Sequence, residues 1–114
     1  MGMNLKPLAQ LTCANFADAV KTKFRVWIAP EDSLELELMQ VTKPRITVTG
    51  GARNAAYENF ALLFQGPSGR PLPQQLYFFE SEALGRFELF IVPVSSDSQA
   101  AQYQATFNRP TRAS

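Results

Sequence analysis

Glu80, Glu82 and Glu88 bracket a predicted hairpin, and two carboxylates facing each other across a cleft are the minimum apparatus for acid/base hydrolysis of a glycosidic bond. The same three residues also read as the charged rim of a hairpin, which discourages edge-to-edge strand pairing, and this is the favoured reading. Glu35 and Glu37 lie two apart, with Glu31 and Asp32 close by. A calcium or magnesium site needs several oxygens converging on one point, and a row along one strand face does not converge by itself. These residues are therefore expected to form a solvated strand face.

The chain of 114 residues contains no histidine. That removes the commonest general base near neutral pH, the commonest zinc ligand and the middle member of a nucleophilic triad. The single Cys13 falls in the first turn of a predicted helix, where a thiol pKa can be lowered. With no histidine to pair with, it reads as a small packing residue, and a zinc site would have to be built from carboxylates and carbonyls alone. One cysteine also excludes an intramolecular disulfide.

Lys21, Lys23, Arg25, Lys43 and Arg45 could gather on one side, with Trp27 and Tyr57 as stacking platforms for a single-stranded nucleic acid. Against this stand the balance of 11 Lys plus Arg to 10 Asp plus Glu, a net charge of +1, and the glutamates of the second predicted strand. The sequence holds no phosphate loop, no dinucleotide fingerprint and no nucleophile elbow. Its chemistry thus points away from an enzyme, and it implies no cofactor and no metal.

The elements that position these residues follow from hydrophobic period. Residues 11–22 read as one helix of about three turns, capped by Thr12, with Phe16, Ala19 and Val20 on one face. Beyond it the period becomes two. Strands are expected over 24–28, 34–41, 57–65, 75–80, 86–94 and 103–107, with a short edge strand at 45–49. In the second strand Leu34, Leu36 and Leu38 alternate with glutamate until Met39 and Val41 reverse the phase, which predicts a bulge near residue 38 or 39. Residues 50–57 are expected to form a mobile loop, residues 66–73 a rigid Gly/Pro connection, and Gly85 the special-angle position of a hairpin.

One early helix and about six strands joined mainly by short connections predict a mainly β, α+β fold. The expected architecture is an antiparallel sheet curled into a partly closed barrel or a small sandwich. A length of 114 residues, 46% hydrophobic and 18% charged, fits a single domain over 1–114, with an ordered core over about 11–109 and tails at 1–10 and 110–114. No segment has the length of a signal peptide or a membrane span, so the expectation is a cytoplasmic protein with no membrane partner.

The segment 87–94, FELFIVPV, is apolar on both faces. Phe87, Leu89 and Ile91 share one face, and Phe90, Val92 and Val94 share the other. In the neighbouring 76–79, LYFF, Leu76 and Phe78 are assigned to the core and Tyr77 and Phe79 to the outside. A helix of three turns, about 15 Å long, covers part of two strands but not all of Phe79, Phe90, Val92 and Val94. Pro93 cannot donate a ladder hydrogen bond and marks an edge or a bulge. The strip of Phe79, Phe90, Val92 and Val94, with Trp27, is therefore the expected contact for a second copy or for another protein of an assembly. The alternative is a small hydrophobic ligand held in a cavity lined by Phe60, Leu62, Phe64, Phe78, Phe87 and Tyr103.

Leu11-Thr12 with Phe16, Phe24-Arg25-Val26, the stretch 60–67 (FALLFQGP), 71–74 (PLPQ), Tyr77, Glu80, Gly85, 89–94 (LFIVPV), and Tyr103 through 107–109 (FNR) resemble a family of short, single-domain bacterial proteins of unknown function. The resemblance spans residues 11–109. It implies a bacterial source and a stand-alone domain. Relatives often carry a histidine near the position of Ser81, and its absence here speaks against histidine-based chemistry. The shared motifs are hydrophobic and turn signals, so they carry over no catalytic residues.

Overall fold

The computed structural model describes residues 11–42, 45–49, 55–96 and 99–110; for 45–49, 55, 56, 109 and 110 it describes the backbone. In chain order a short helix, α1 (Cys13–Ala17), precedes β1 (Lys23–Ala29), β2 (Asp32–Val41), β3 (Arg45–Thr49), β4 (Ala55–Pro67), β5 (Gln75–Ser81), β6 (Gly85–Ser96) and β7 (Ala100–Pro110). The strands run in the order β2-β1-β5-β6-β7-β4-β3, and a further pairing of β2 with β4 closes the sheet into a six-stranded antiparallel barrel. β3 lies outside that ring as a hairpin partner of the first part of β4.

Closure depends on β2 serving two neighbours. Its first part, up to Glu37, pairs with β1, and its second part, from Glu37 to Val41, pairs with β4. The register shifts between Leu38 and Gln40, which is the bulge that the phase reversal at Met39 predicts. A second shift falls between Pro93 and Ser95 of β6, where proline interrupts the ladder to β7. Bulges of this kind bend strands and sharpen twist, which a small barrel requires.

Helix α1 is shorter than the predicted 11–22. Thr12 caps it in a reciprocal box: its hydroxyl accepts from the Asn15 N–H at 3.0 Å, while Asn15 Oδ1 accepts from the Thr12 N–H at 2.9 Å. Five residues later the chain leaves the helix. Lys21 takes a left-handed backbone angle, φ 72°, and its N–H donates to the Leu38 carbonyl at 2.7 Å. The pull of β2 on the backbone at Lys21 thus ends a helix that side-chain period alone would continue.

The helix does not lie across the outer face of β6. It stoppers one end of the barrel with Phe16, whose ring centroid sits 5.6, 5.9 and 6.5 Å from those of Phe107, Phe87 and Phe60. Leu72, from the connection between β4 and β5, is buried at the other end. Its N–H donates to the Tyr103 hydroxyl at 2.8 Å, and the Tyr77 hydroxyl donates to the Pro73 carbonyl at 2.7 Å. Burial pushes the Tyr77 hydroxyl pKa up, with Tyr103 a smaller contributor. Arg70 anchors the same connection to the start of β2 by a two-pronged pair, Nη1 to Asp32 Oδ1 at 3.1 Å and Nη2 to Oδ2 at 2.7 Å.

Between the two stoppers the interior is filled with rings. Phe24 meets Phe64 edge to face at 5.4 Å, Phe79 stacks on Phe87 at 5.8 Å, and Phe60 stacks on Phe107 at 4.5 Å. Gly66 supplies the close approach that lets Leu36 complete the packing, since a Cβ on it would overlap Leu36 Cδ2. Gly85 takes φ 84° in the β5–β6 hairpin, as expected. The mobile loop expected over 50–57 lies outside the described residues at 50–54, while 55–57 are already strand; of the tails expected at 1–10 and 110–114, residues 1–10 and 111–114 also lie outside them, whereas Pro110 is the last residue of β7.

Candidate functional site

The outer faces of β1, β5 and β6 carry rows of side chains whose order is fixed by strand register. One row runs Glu35, Arg25, Glu80, Arg86 across β2, β1, β5 and β6, so the charges alternate in sign. The next row, two residues along each strand, runs Ser33, Trp27, Phe78, Glu88. Beyond it Leu76 stands opposite Phe90. The polar first row thus gives way abruptly to aromatic and aliphatic side chains.

Those side chains are far from covered. Leu76, Phe78, Phe90 and Val94 are 52%, 39%, 48% and 47% exposed, which makes them four of the five exposed large hydrophobic residues among those described. Trp27 and Val92 are partly buried. Trp27 and Phe78, with Ile28, Ala29 and Pro30, line an apolar groove of about 460 Å³ at the end of β1. The Arg25 guanidinium lies 5.7 Å from the centre of the Trp27 ring, within reach of a cation–π attraction. Among the described residues Arg25 forms no ion pair, although it has a glutamate on each neighbouring strand; Glu80 pairs instead with Arg86 at 3.1 Å.

The phase expected for β5 is corrected here. Phe79, assigned to the surface, is 1% exposed and packs on Phe24, Phe64 and Phe87, whereas Phe78, assigned to the cavity lining, faces outward. The physical reason lies in the residues that follow. Glu80 must face water and shares its face with Phe78 and Leu76. Ser81, on the opposite face, is buried, and its hydroxyl accepts from the N–H groups of Ala83 and Leu84 at 3.2 Å each. Leu76 is thereby a member of the outer strip that sequence reasoning missed, and the parity of Glu80 was the signal that could have found it. Phe90, Val92, Val94 and Trp27 lie on the outer face as expected.

The remaining candidates are placed as follows. Phe60, Leu62, Phe64, Phe87 and Tyr103 all point inward, each at most 3% exposed, and they pack against one another and their neighbours as core. Cys13 is buried, with its thiol 3.7 Å from the Thr42 carbonyl. Glu35 joins Glu37 and Lys23 along one surface groove, and Glu80, Glu82, Arg25 and Lys23 line another; Glu88 lies in neither lining. Among the described residues no three carboxylate or thiol side chains converge as metal ligands. Of the basic set, Lys23 and Arg25 share the outer face of β1, while Lys43 and the side chain of Arg45 lie outside the described residues.

A family model for a domain of unknown function, DUF6916, matches residues 11–107, nearly the whole chain. The chain belongs to the DUF6916 family. No curated protein and no solved structure matches it. In this DUF6916 chain the matched span begins at Leu11, buried beside the helix cap, and ends at Phe107, which stacks on Phe60. The family match therefore covers the barrel together with its helical stopper. Among the described residues, no helix of this DUF6916 chain is long and apolar enough to cross a membrane.

Proposed function

We propose that this chain is a non-enzymatic interaction module whose outer apolar face, formed by Trp27, Leu76, Phe78, Phe90, Val92 and Val94, is the surface by which it joins a protein assembly. One observation carries the reading: Leu76 and Phe90 stand directly opposite each other on neighbouring strands and are about half exposed, with Phe78 beside them. Fully burying such a side chain stabilises by about 1.5–3 kcal/mol, so covering what is still open is favourable by about 1 kcal/mol for each. Among the described residues the helix and the Leu72 connection are both spent on the barrel ends, and neither covers this contiguous strip. Contiguous exposed apolar surface of this sort marks contact sites.

The small-ligand reading draws less support, because the residues named as its lining either fill the core or, as with Phe78, face outward. Static light scattering over a wide concentration range tests the proposal. The parent is expected to associate, and a variant carrying Leu76→Gln and Phe90→Gln is expected to remain monomeric with an unchanged melting temperature. A parent that stays monomeric throughout and is no less soluble than the variant would remove the basis of the reading.

A further inference from the structure

The geometry points to a proline-rich segment of another protein, carrying basic residues, as the occupant of the groove beside Trp27 and Phe78. This rests on the reading of the outer face as a contact surface, and it goes further by assigning one part of that face a partner chemistry.

The groove exists because two strands part. β1 and β5 are paired only from Arg25↔Glu80 to Trp27↔Phe78, although β1 runs on to Ala29 and β5 begins at Gln75. Past Trp27 the register of β1 against β2 shifts as well. The cleft so formed is walled by the Trp27 and Phe78 rings with Ile28, Ala29 and Pro30, and its volume of about 460 Å³ suits a bound ligand.

Polar groups at the cleft are few. The Trp27 indole N–H has no hydrogen-bond partner among the described residues, yet it is not sealed from solvent, so it can donate outward. Glu31 follows Pro30 on one side, and Glu88 stands next to Phe78 across the β5–β6 ladder on the other. Both are exposed, and neither forms an ion pair among the described residues. The Arg25 guanidinium, 5.7 Å from the Trp27 ring centre, belongs to a residue two places back along β1, away from Pro30 and between Glu35 and Glu80 of the neighbouring strands. The groove is thus apolar in its walls and negative at its margins.

Main-chain chemistry selects among apolar segments. A β-strand docks by extending a ladder, which Pro30 and the register shift interrupt here. A helix bonds its own carbonyls and has no use for a lone donor. A polyproline II segment has no internal hydrogen bonds and is ordered beforehand, so it packs its rings on aromatic walls while one of its carbonyls accepts from the indole N–H. Basic residues at its ends complement Glu31 and Glu88.

A fluorescently labelled peptide of Pro-Pro-Leu repeats with two arginines at each end, titrated with the full chain and followed by anisotropy, tests the assignment. The parent is expected to bind it saturably, and to bind a peptide with alanine in place of proline at least about tenfold more weakly. Trp27→Phe keeps a ring and removes the N–H, so binding should weaken about fivefold. A variant carrying Glu31→Lys and Glu88→Lys should lose at least about tenfold, and should bind a peptide with glutamates in place of the arginines better than the parent does. That gain cannot come from a damaged fold. Absence of saturable binding by the parent, equal affinity for the alanine peptide, undiminished binding by Trp27→Phe, or no exchange of charge preference would overturn the assignment. If the peptide fails to bind while Leu76→Gln/Phe90→Gln still abolishes association, the proline-rich partner is refuted and the outer face survives as the contact surface. A parent that neither associates nor binds the peptide refutes both.

Discussion

The Tyr103 hydroxyl accepts a hydrogen bond from the Leu72 N–H at 2.8 Å, joining the first half of β7 to the connection that closes one end of the barrel. Tyr103→Phe keeps the ring and removes the acceptor, leaving a buried N–H unsatisfied. The expected cost is about 1–3 kcal/mol in urea unfolding. Hydrogen exchange at the Leu72 amide should quicken with it, and an unchanged exchange rate there would show that the hydroxyl does not hold the connection.

Phe16 is the stopper at the opposite end. Because its ring is fully buried against Phe60, Phe87 and Phe107, Phe16→Ala should cost about 3–5 kcal/mol. Thermal unfolding checks this. Since the helix has only five residues and lacks independent stability, its amides should lose protection before those of the strands.

Gly66 has no room for a side chain because Leu36 occupies the space. Gly66→Ala should therefore cost about 1–3 kcal/mol by overpacking. Leu36→Ala alone opens a cavity, but together the two changes relieve each other in part. The double variant should be less unstable than the sum of the singles, and strict additivity in a double-mutant cycle would contradict the contact.

The Asp32–Arg70 pair predicts a pH effect of known sign. Arg70 lowers the Asp32 pKa chiefly through the hydrogen bonds; desolvation opposes this, and the Arg70 charge adds a smaller lowering. A folded value below the unfolded value of about 3.9 means that the pair contributes above that pH and is lost as pH falls through the lower folded value. The difference in urea midpoint between the parent and Asp32→Asn should be constant from neutral pH down to about 4 and shrink below it. A difference that persists well below that point would show that the pair acts through something other than the charge.

Much of this architecture is legible in the sequence because its signals are local. The alternation of Leu34, Leu36 and Leu38 with glutamates marks β2 and its inner face, the phase reversal at Met39 marks the bulge, and Gly85 marks the hairpin. The length of the helix was not legible, since Lys21 is drawn out of it by the Leu38 carbonyl, seventeen residues away in sequence. Closure of the barrel was open for the same reason: whether β2 reaches β4 is decided by long-range pairing. The face of Phe78 and Phe79 is a different case. Four apolar residues in a row carry no period of their own, and only the flanking Glu80 and Ser81 set the phase. The site accordingly shifted by one residue on β5, from Phe79 to Phe78, and gained Leu76.

Trp27 is the chain's single tryptophan and sits on the outer apolar face, so its fluorescence reports directly on whether that face is covered. As protein concentration rises through the range in which light scattering shows the mass increasing, the emission should shift to shorter wavelength and acrylamide quenching should fall. Emission and quenching that stay constant while the mass grows would mean that the chains meet through some other surface.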